Sequence, residues 1–285
     1  IGLRHSLPVI CPVNEYGKFT KYVAGLGFFD DEDGITAPAT LLGRSVLASN
    51  LEIISQLQRV NALVAREDIT HRYPHCWRCH KEVIFRATKQ WFICLDTEFN
   101  LREKAKEAAK QVTWLPASGV NRISAMLEKR PDWCISRQRS WGVPITIFHC
   151  KSCNQPVLKK EVFDHVANLL QEKGSDFWFT SIAEDLLPPG LTCHCGGNTF
   201  KKDTNTLDVW FDSGVSHSVV SEAAGIGWPS DLYLEGSDQH RGWFQSSLLT
   251  ALATGRETAP YKSVLTHGFI NDLDGKKMSK SEGNV

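Results

Sequence analysis

Asp231-Leu232-Tyr233-Leu234-Glu235-Gly236-Ser237-Asp238-Gln239, then an apolar run over 241–253, then Ser263-Val264-Leu265-Thr266-His267-Gly268, is the stretch whose reading decides the fold. Leu232-Tyr233-Leu234 reads as a short strand, 241–253 as a helix ended by Gly255, and 263–266 as a second strand. A strand–helix–strand unit of this length predicts two parallel strands joined by a right-handed crossover. The fold class is therefore α/β. Open parallel sheets bind ligands beyond the carboxyl ends of their strands. Glu235, Gly236, Asp238 and Gln239 lie at one such end and His267 and Gly268 at the other, so the two groups are expected side by side in one crevice.

Working outward, Lys277-Met278-Ser279-Lys280-Ser281 follows, flanked by Gly275 and Gly283. Two lysines and two hydroxyls on a flexible loop can close on a triphosphate and neutralise charge as pyrophosphate leaves. A solvated basic turn is the plainer reading of the same residues. Upstream, Leu207-Asp208-Val209-Trp210-Phe211-Asp212-Ser213-Gly214 reads as an unusual extended segment, with Trp210 and Phe211 on opposite faces. Trp243 opens the helix of the strand–helix–strand unit. Trp210 and Trp243 would then wall a small aliphatic pocket, with Glu235, Asp238 or Gln239 holding the polar end of a ligand. Core packing is the alternative for either indole in a chain with nine tryptophans.

The chain has 285 residues, with 32 Lys+Arg against 32 Asp+Glu, so whole-chain charge argues neither for nor against a nucleic-acid partner. No apolar run reaches the ~18 residues a membrane span needs. Of the nine cysteines, six fall in close pairs at metal-ligand spacing, which favours a reducing cytosol and zinc over disulfides. Cys150-x-x-Cys153 and Cys193-x-Cys195-Gly196-Gly197 together supply four thiolates for a closed, structural Zn²⁺ site. Four buried free thiols, or His149 or His194 in place of one thiolate, are the alternatives. Cys76 and Cys79, among His71, His75 and His80, make half a second site, completed by a nearby histidine or by cysteines outside the chain. A redox dithiol is the competing reading of that pair. Cys11, Cys94 and Cys134 read as ordinary buried thiols.

Other elements are legible. Residues 1–70 read as the tail of an α/β module: a strand over 8–13, a turn at Asn14-Glu15-Tyr16-Gly17, and a Ser49-x-x-Glu52 capping box. That box opens a helix carrying Leu51, Ile54, Leu57 and Val60, with Asn61 suited to a left-handed C-terminal cap. Asp30-Asp31-Glu32-Asp33-Gly34 reads as a solvated loop and Val83-Ile84-Phe85 as a strand. Asn100-x-x-Glu103 is a second capping signal for a helix to about 112. Further helices are expected over 118–129 and 159–173, the latter ended by Gly174. Residues 130–142 hold three arginines and two indoles, a mix suited to RNA contact. Arginines packed internally against acidic neighbours would explain it equally. The opening Ile1-Gly2-Leu3-Arg4 carries no Met and no signal layout, and Gly283-Asn284-Val285 leaves the last loop hanging, so a piece of a longer protein is expected.

Taken together these segments resemble a class I aminoacyl-tRNA synthetase, of the bacterial isoleucyl type. The matching stretches are His71-Arg72-Tyr73-Pro74-His75-Cys76-Trp77-Arg78-Cys79, Arg86-Ala87-Thr88-Lys89-Gln90-Trp91-Phe92, residues 130–142, 208–214, 233–244 and 277–281. The phrase at 233–244 is more specific than the lysine loop, which many class I members share. The resemblance implies the second half of a Rossmann-type parallel sheet. It divides the chain into the tail of an inserted editing domain (1–70), a return to the catalytic core with the half zinc site (71–145), a zinc-ribbon insertion (146–200) and the second Rossmann half (201–285). It implies that Trp210 and Trp243 line an isoleucine pocket and that Glu235, Gly236, Asp238 and Gln239 contact the aminoacyl adenylate. His267 and Gly268 would sit against adenine, and Lys277 and Lys280 would stabilise the triphosphate. It further implies ATP with Mg²⁺, isoleucine and tRNA(Ile) as partners, and a cytoplasmic monomer. The family's His-Ile-Gly-His signature is absent, and its editing residues and the partners of Cys76 and Cys79 would lie upstream. The fragment alone is therefore expected to be inactive. The rival readings are a valyl or leucyl enzyme, a non-catalytic zinc-ribbon RNA-binding module, and a generic nucleotide-binding domain.

Overall fold

The computed structural model describes residues 3–22, 41–76, 79–280 and 282–285. The acidic stretch 30–34, Trp77, Arg78 and Ser281 lie outside the described residues. The chain divides into two compact units, Ile1–Lys89 and Gln90–Val285.

In the first unit the helix α1 (Asn50–Arg59) forms where expected, and Asn61 adopts the left-handed conformation (φ 54°) just beyond it. The capping box does not form. Ser49 is itself helical (φ −103°, ψ −1°), whereas a capping residue stays extended; its hydroxyl turns back and donates to the Ser45 carbonyl at 2.7 Å. Glu52 instead accepts from Gln56 Nε2 at 2.8 Å. Residues 14–17 turn as expected, with Gly17 N donating to Asn14 O at 3.1 Å. The strand expected over 8–13 reduces to one isolated bridge, Val13 with Phe19, and none forms over 83–85; the neighbouring bridge pairs His75 with Glu82.

The second unit begins with β1 (Phe92–Ile93), α2 (Leu101–Lys110), β2 (Thr113–Leu115), α3 (Gly119–Glu128), β3 (Trp133–Cys134) and β4 (Ser136–Arg137). Asn100 precedes α2 in the left-handed conformation (φ 51°), and its side chain caps nothing. A smaller body follows: β5 (Phe148–Cys150), β6 (Pro156–Val157), α4 (Lys160–Lys173), α5 (Asp176–Thr180), α6 (Ala183–Leu186) and β7 (Phe200–Lys202). Its antiparallel sheet has the order β6-β5-β7, and Phe148, Trp178, Phe200 and Leu186 form its core. Gly174, with φ 80°, ends α4.

The chain then returns through β8 (Thr206–Leu207), α7 (Val209–Gly214), β9 (Ser230–Gly236), α8 (Trp243–Ala253) and β10 (Tyr261–His267). The strand–helix–strand unit is present: β9 and β10 are parallel, with Leu265 opposite Leu234 and His267 opposite Gly236. β2 joins the far side of β10, also parallel, so the sheet order is β2-β10-β9. The sequence reading did not foresee β2, a three-residue strand too short to show periodicity. α8 carries Gln245, Ser246, Ser247 and Thr250 among apolar residues, yet nearly every one of its residues is buried, so it is packed on all sides.

The alternation along the sheet sets its two faces. Trp114, Tyr233 and Val264 point into the core shared with α2, α3 and α8. Leu115, Leu232 and Leu234, on the alternate positions, are each about half exposed. Segment 208–214 is a helix rather than an extended strand. Asp208 starts it by accepting the Trp210 N–H, and Gly214 lets it lie close to α8, since a Cβ there would fall 3.0 Å from the Ser246 carbonyl oxygen. No helix is long and apolar enough to cross a membrane among the described residues.

Candidate functional site

Strand polarity puts the carboxyl ends of β9 and β10 together, so Glu235 and Gly236 lie beside Thr266 and His267 in register. After Gly236 the chain makes a 3₁₀ turn, Ser237–His240, that carries Asp238 and Gln239. His240 anchors the turn. Its ring stacks on Trp114 (centroids 5.5 Å, 24°), and its Nδ1 lies 2.9 Å from the Ser237 carbonyl. Burial holds its imidazole below the ordinary histidine range, so the neutral ring donates Nδ1–H to that carbonyl.

Beyond the turn, α8 begins against the crevice. Gln239 Oε1 accepts the Trp243 backbone N–H at 2.9 Å, satisfying one of the free donors of the helix start. The Trp243 indole stacks on Tyr233 almost face to face (3.9 Å, 8°), and its Nε1 donates to Ser213 O and Ser216 Oγ, both at 3.1 Å. Trp210, from the first turn of α7, approaches over Gly242. A Cβ on Gly242 would lie 2.8 Å from Trp210 Cη2 and would meet Gln239 Oε1, so only glycine leaves room. Together Trp210, Ser213, Ser216, Glu235, Gln239 and Trp243 line a cavity of about 390 Å³. It has aromatic walls, a carboxylate and an amide, and is of a size that suits a small ligand.

Of the residues the sequence singled out, the structure therefore brings Trp210, Trp243, Glu235 and Gln239 into one cavity. Gly236 and Asp238 adjoin it: a Cβ on Gly236 would lie 2.8 Å from Asp238 Oδ1 and 3.8 Å from His267 Cε1. His267 is exposed, with Nδ1 2.6 Å from the Gly268 carbonyl. Lys277 and Lys280 are not among the cavity lining; they sit on a hairpin closed on itself. There Met278 N donates to Ile270 O (2.9 Å), Asp272 accepts Lys276 N and Asn284 Nδ2, and Lys277 Nζ lies 3.8 Å over the Phe269 ring. The Asn284 amide, with the Lys276 backbone, holds the Asp272 carboxyl below its usual range. Ser213, Ser216, Tyr233 and Gly242 escaped the sequence reading. The spacing Trp210, Ser213 is i, i+3, a signal only once 209–214 is known to be helical.

Two of the three arginines in 130–142 are half-buried and engaged within the protein. Arg137 pairs with the buried Asp208 at 2.9 Å, and Arg130 donates to Gln245 and lies 5.3 Å over Trp133. Arg139 and Trp141 are exposed.

A second constellation lies in the smaller body. The Sγ atoms of Cys150, Cys153, Cys193 and Cys195 all lie within 4.8 Å of one another, with Cys150–Cys195 and Cys153–Cys193 each at 3.6 Å. A disulfide requires about 2.05 Å. A tetrahedral metal with thiolates at about 2.3 Å has S···S edges of about 3.8 Å, so the four sulfurs fit such an ion. The Cys153 backbone amide, aided by that of Ser152 against burial, brings the Cys150 thiol down to about 6. Gly197 is required for the approach: a Cβ there would sit 2.9 Å from Cys150 Sγ. His149 is engaged elsewhere, 3.0 Å from Asp203, whereas His194 Nδ1 lies 3.4 Å from Cys193 Sγ. Among the described residues this is the only group of three or more such ligands that could hold a metal. The His80 N–H donates to the Cys76 carbonyl at 2.8 Å, next to Cys79.

The family profile described as tRNA synthetases class I (I, L, M and V) matches residues 38–285. The isoleucine–tRNA ligase of a Sulfurihydrogenibium species is 52% identical over 295 residues, covering 100% of this chain and 30% of that protein. Those of Syntrophotalea carbinolica and Aquifex aeolicus are 51% and 50% identical, each covering 100% of this chain and 29% of the relative. The chain thus spans about 30% of the length of the curated relatives it matches.

Proposed function

The chain belongs to the class I tRNA synthetases of the I, L, M and V group, and from that premise we propose that its parent enzyme joins isoleucine to tRNA(Ile). The names carried by relatives about half identical over the whole chain support isoleucine among the four amino acids of the group. The observation that carries the reading is the cavity at the carboxyl end of β9, where two indoles face a carboxylate and an amide.

In this reading the branched side chain of isoleucine lies between Trp210 and Trp243, while the Glu235 carboxylate attracts its ammonium. The amino acid's carboxylate attacks the α-phosphorus of ATP, the α–β bridging bond breaks, and pyrophosphate leaves with the electron pair. Isoleucyl-adenylate remains; a ribose hydroxyl of tRNA(Ile) then attacks its acyl carbon, the bond from that carbon to the phosphate oxygen breaks, and AMP leaves with the electron pair. Positioning and charge stabilisation carry the first step, so no general base is required. Gly236, Asp238 and Gln239 hold the adenylate, His267 and Gly268 take the adenine side, and Lys277 and Lys280 neutralise the departing phosphates. Mg²⁺ accompanies ATP as its counter-ion. The closed hairpin carrying the two lysines would open toward the nucleotide for this step.

The four cysteines 150, 153, 193 and 195 hold a structural Zn²⁺, making 146–200 a zinc-ribbon insertion; with four thiolates it would leave no position for substrate. Cys76 and Cys79 contribute half of a second site. Residues 1–70 are the tail of an editing domain, 71–145 the return to the core and 201–285 the second Rossmann half of a cytoplasmic, monomeric enzyme. An aliphatic pocket separates isoleucine from valine by only ~1–3 kcal/mol, the physical reason for an editing domain in the parent.

Trp210→Ala in the full-length parent tests the pocket. Loss of one aromatic wall is expected to raise KM for isoleucine about tenfold or more and leave KM for ATP within about twofold. An equal rise for both substrates, or none for isoleucine, would contradict the assignment.

A further inference from the structure

Trp243 forms the inner wall of the cavity, and the position of its indole is over-determined by three groups that do not themselves explain amino-acid binding. Tyr233, 4% exposed on β9, covers one face at 3.9 Å, so only the other face or an edge is free to line the cavity. Ser213 O and Ser216 Oγ hold the indole edge, each 3.1 Å from Nε1. Stacking alone lets an indole slide and rotate in its plane; a directional hydrogen bond at the edge does not. The Ser213 acceptor is main chain and independent of side chain. Ser216 is the replaceable member, and it lines the cavity itself.

We propose that Ser216 is a positioning residue that locks the Trp243 indole through the Nε1–H···Oγ bond and so sets the width of the side-chain cavity. The inference rests on the isoleucine reading above but names a residue that never carries reacting atoms. Its consequence is specificity. With the bond lost, the indole keeps the Tyr233 stack and the Ser213 O acceptor but loses the second anchor of its edge, and the pocket accommodates a wider range of shapes. The discrimination between isoleucine and valine, which depends on filling one methylene of space, then falls.

The test is a double-mutant cycle in the full-length parent, with amino-acid-dependent ATP–pyrophosphate exchange as the readout. Ser216→Ala is expected to raise KM for isoleucine about two- to tenfold, the range of one neutral hydrogen bond, with kcat within about twofold. The ratio of kcat/KM for isoleucine over valine should fall by a similar factor. Trp243→Phe keeps a ring over Tyr233 but has no N–H. In that background Ser216→Ala should add nothing. Unchanged KM and ratio in Ser216→Ala, or an effect that adds in full to Trp243→Phe, would overturn the proposal. The wild-type panel separates this from failure of the substrate reading: if another amino acid supports exchange best, isoleucine is wrong, and the cycle is run with that amino acid.

Discussion

Gly242 decides the cavity through a missing methyl group. Its neighbours Trp210 and Gln239 occupy the space a Cβ would need, and both are cavity walls. Gly242→Ala is therefore an overpacking change at the site itself, costing about 1–3 kcal/mol if the neighbours must shift. In the parent enzyme it should raise KM for isoleucine at least as much as it lowers stability, read by pyrophosphate exchange beside a thermal melt. A fall in melting temperature with KM unaltered would mean that Trp210 is not a wall. This residue was invisible in the sequence because its role depends on an approach between α7 and the start of α8. Trp210, Trp243, Glu235 and Gln239 were legible, since large aromatics and a carboxylate beside a strand end are chemically conspicuous.

At the level of elements, the strand–helix–strand unit was legible because α8 is a largely apolar run between two short strands and Gly255 ends it. α7 was misread. The sequence placed neighbouring Trp210 and Phe211 on opposite faces of an extended segment, but the Asp208 cap and the close packing of Gly214 on Ser246 favour a helix, and tertiary contact outweighs local pattern. The cap expected at Ser49 failed for a related reason, the serine hydroxyl finding a carbonyl one turn earlier. The four-cysteine module was legible from spacing alone. If it holds Zn²⁺, chelation or Cys153→Ser should unfold that module while the parallel sheet persists. Hydrogen exchange should show protection lost over 148–202 and retained in β9 and β10. Protection unchanged by chelation, in protein shown to contain zinc beforehand, would contradict a structural role for the ion.

Over the whole molecule, a parallel sheet is ordinarily covered on both faces, and here one face presents half-exposed Leu115, Leu232 and Leu234. The cavity is likewise built from one side of the crevice, in a chain spanning about 30% of its relatives' length. The chain by itself is accordingly expected to support no amino-acid-dependent exchange, whereas measurable turnover by it would show that the residues described here suffice. The central claim concerns the parent, and the most direct measurement is its ATP–pyrophosphate exchange across isoleucine, valine, leucine and methionine. Exchange strongest with isoleucine is the predicted result. Exchange strongest with another of the four, or with none from folded, metal-loaded protein, would contradict the reading of the Trp210–Trp243 cavity as an isoleucine site.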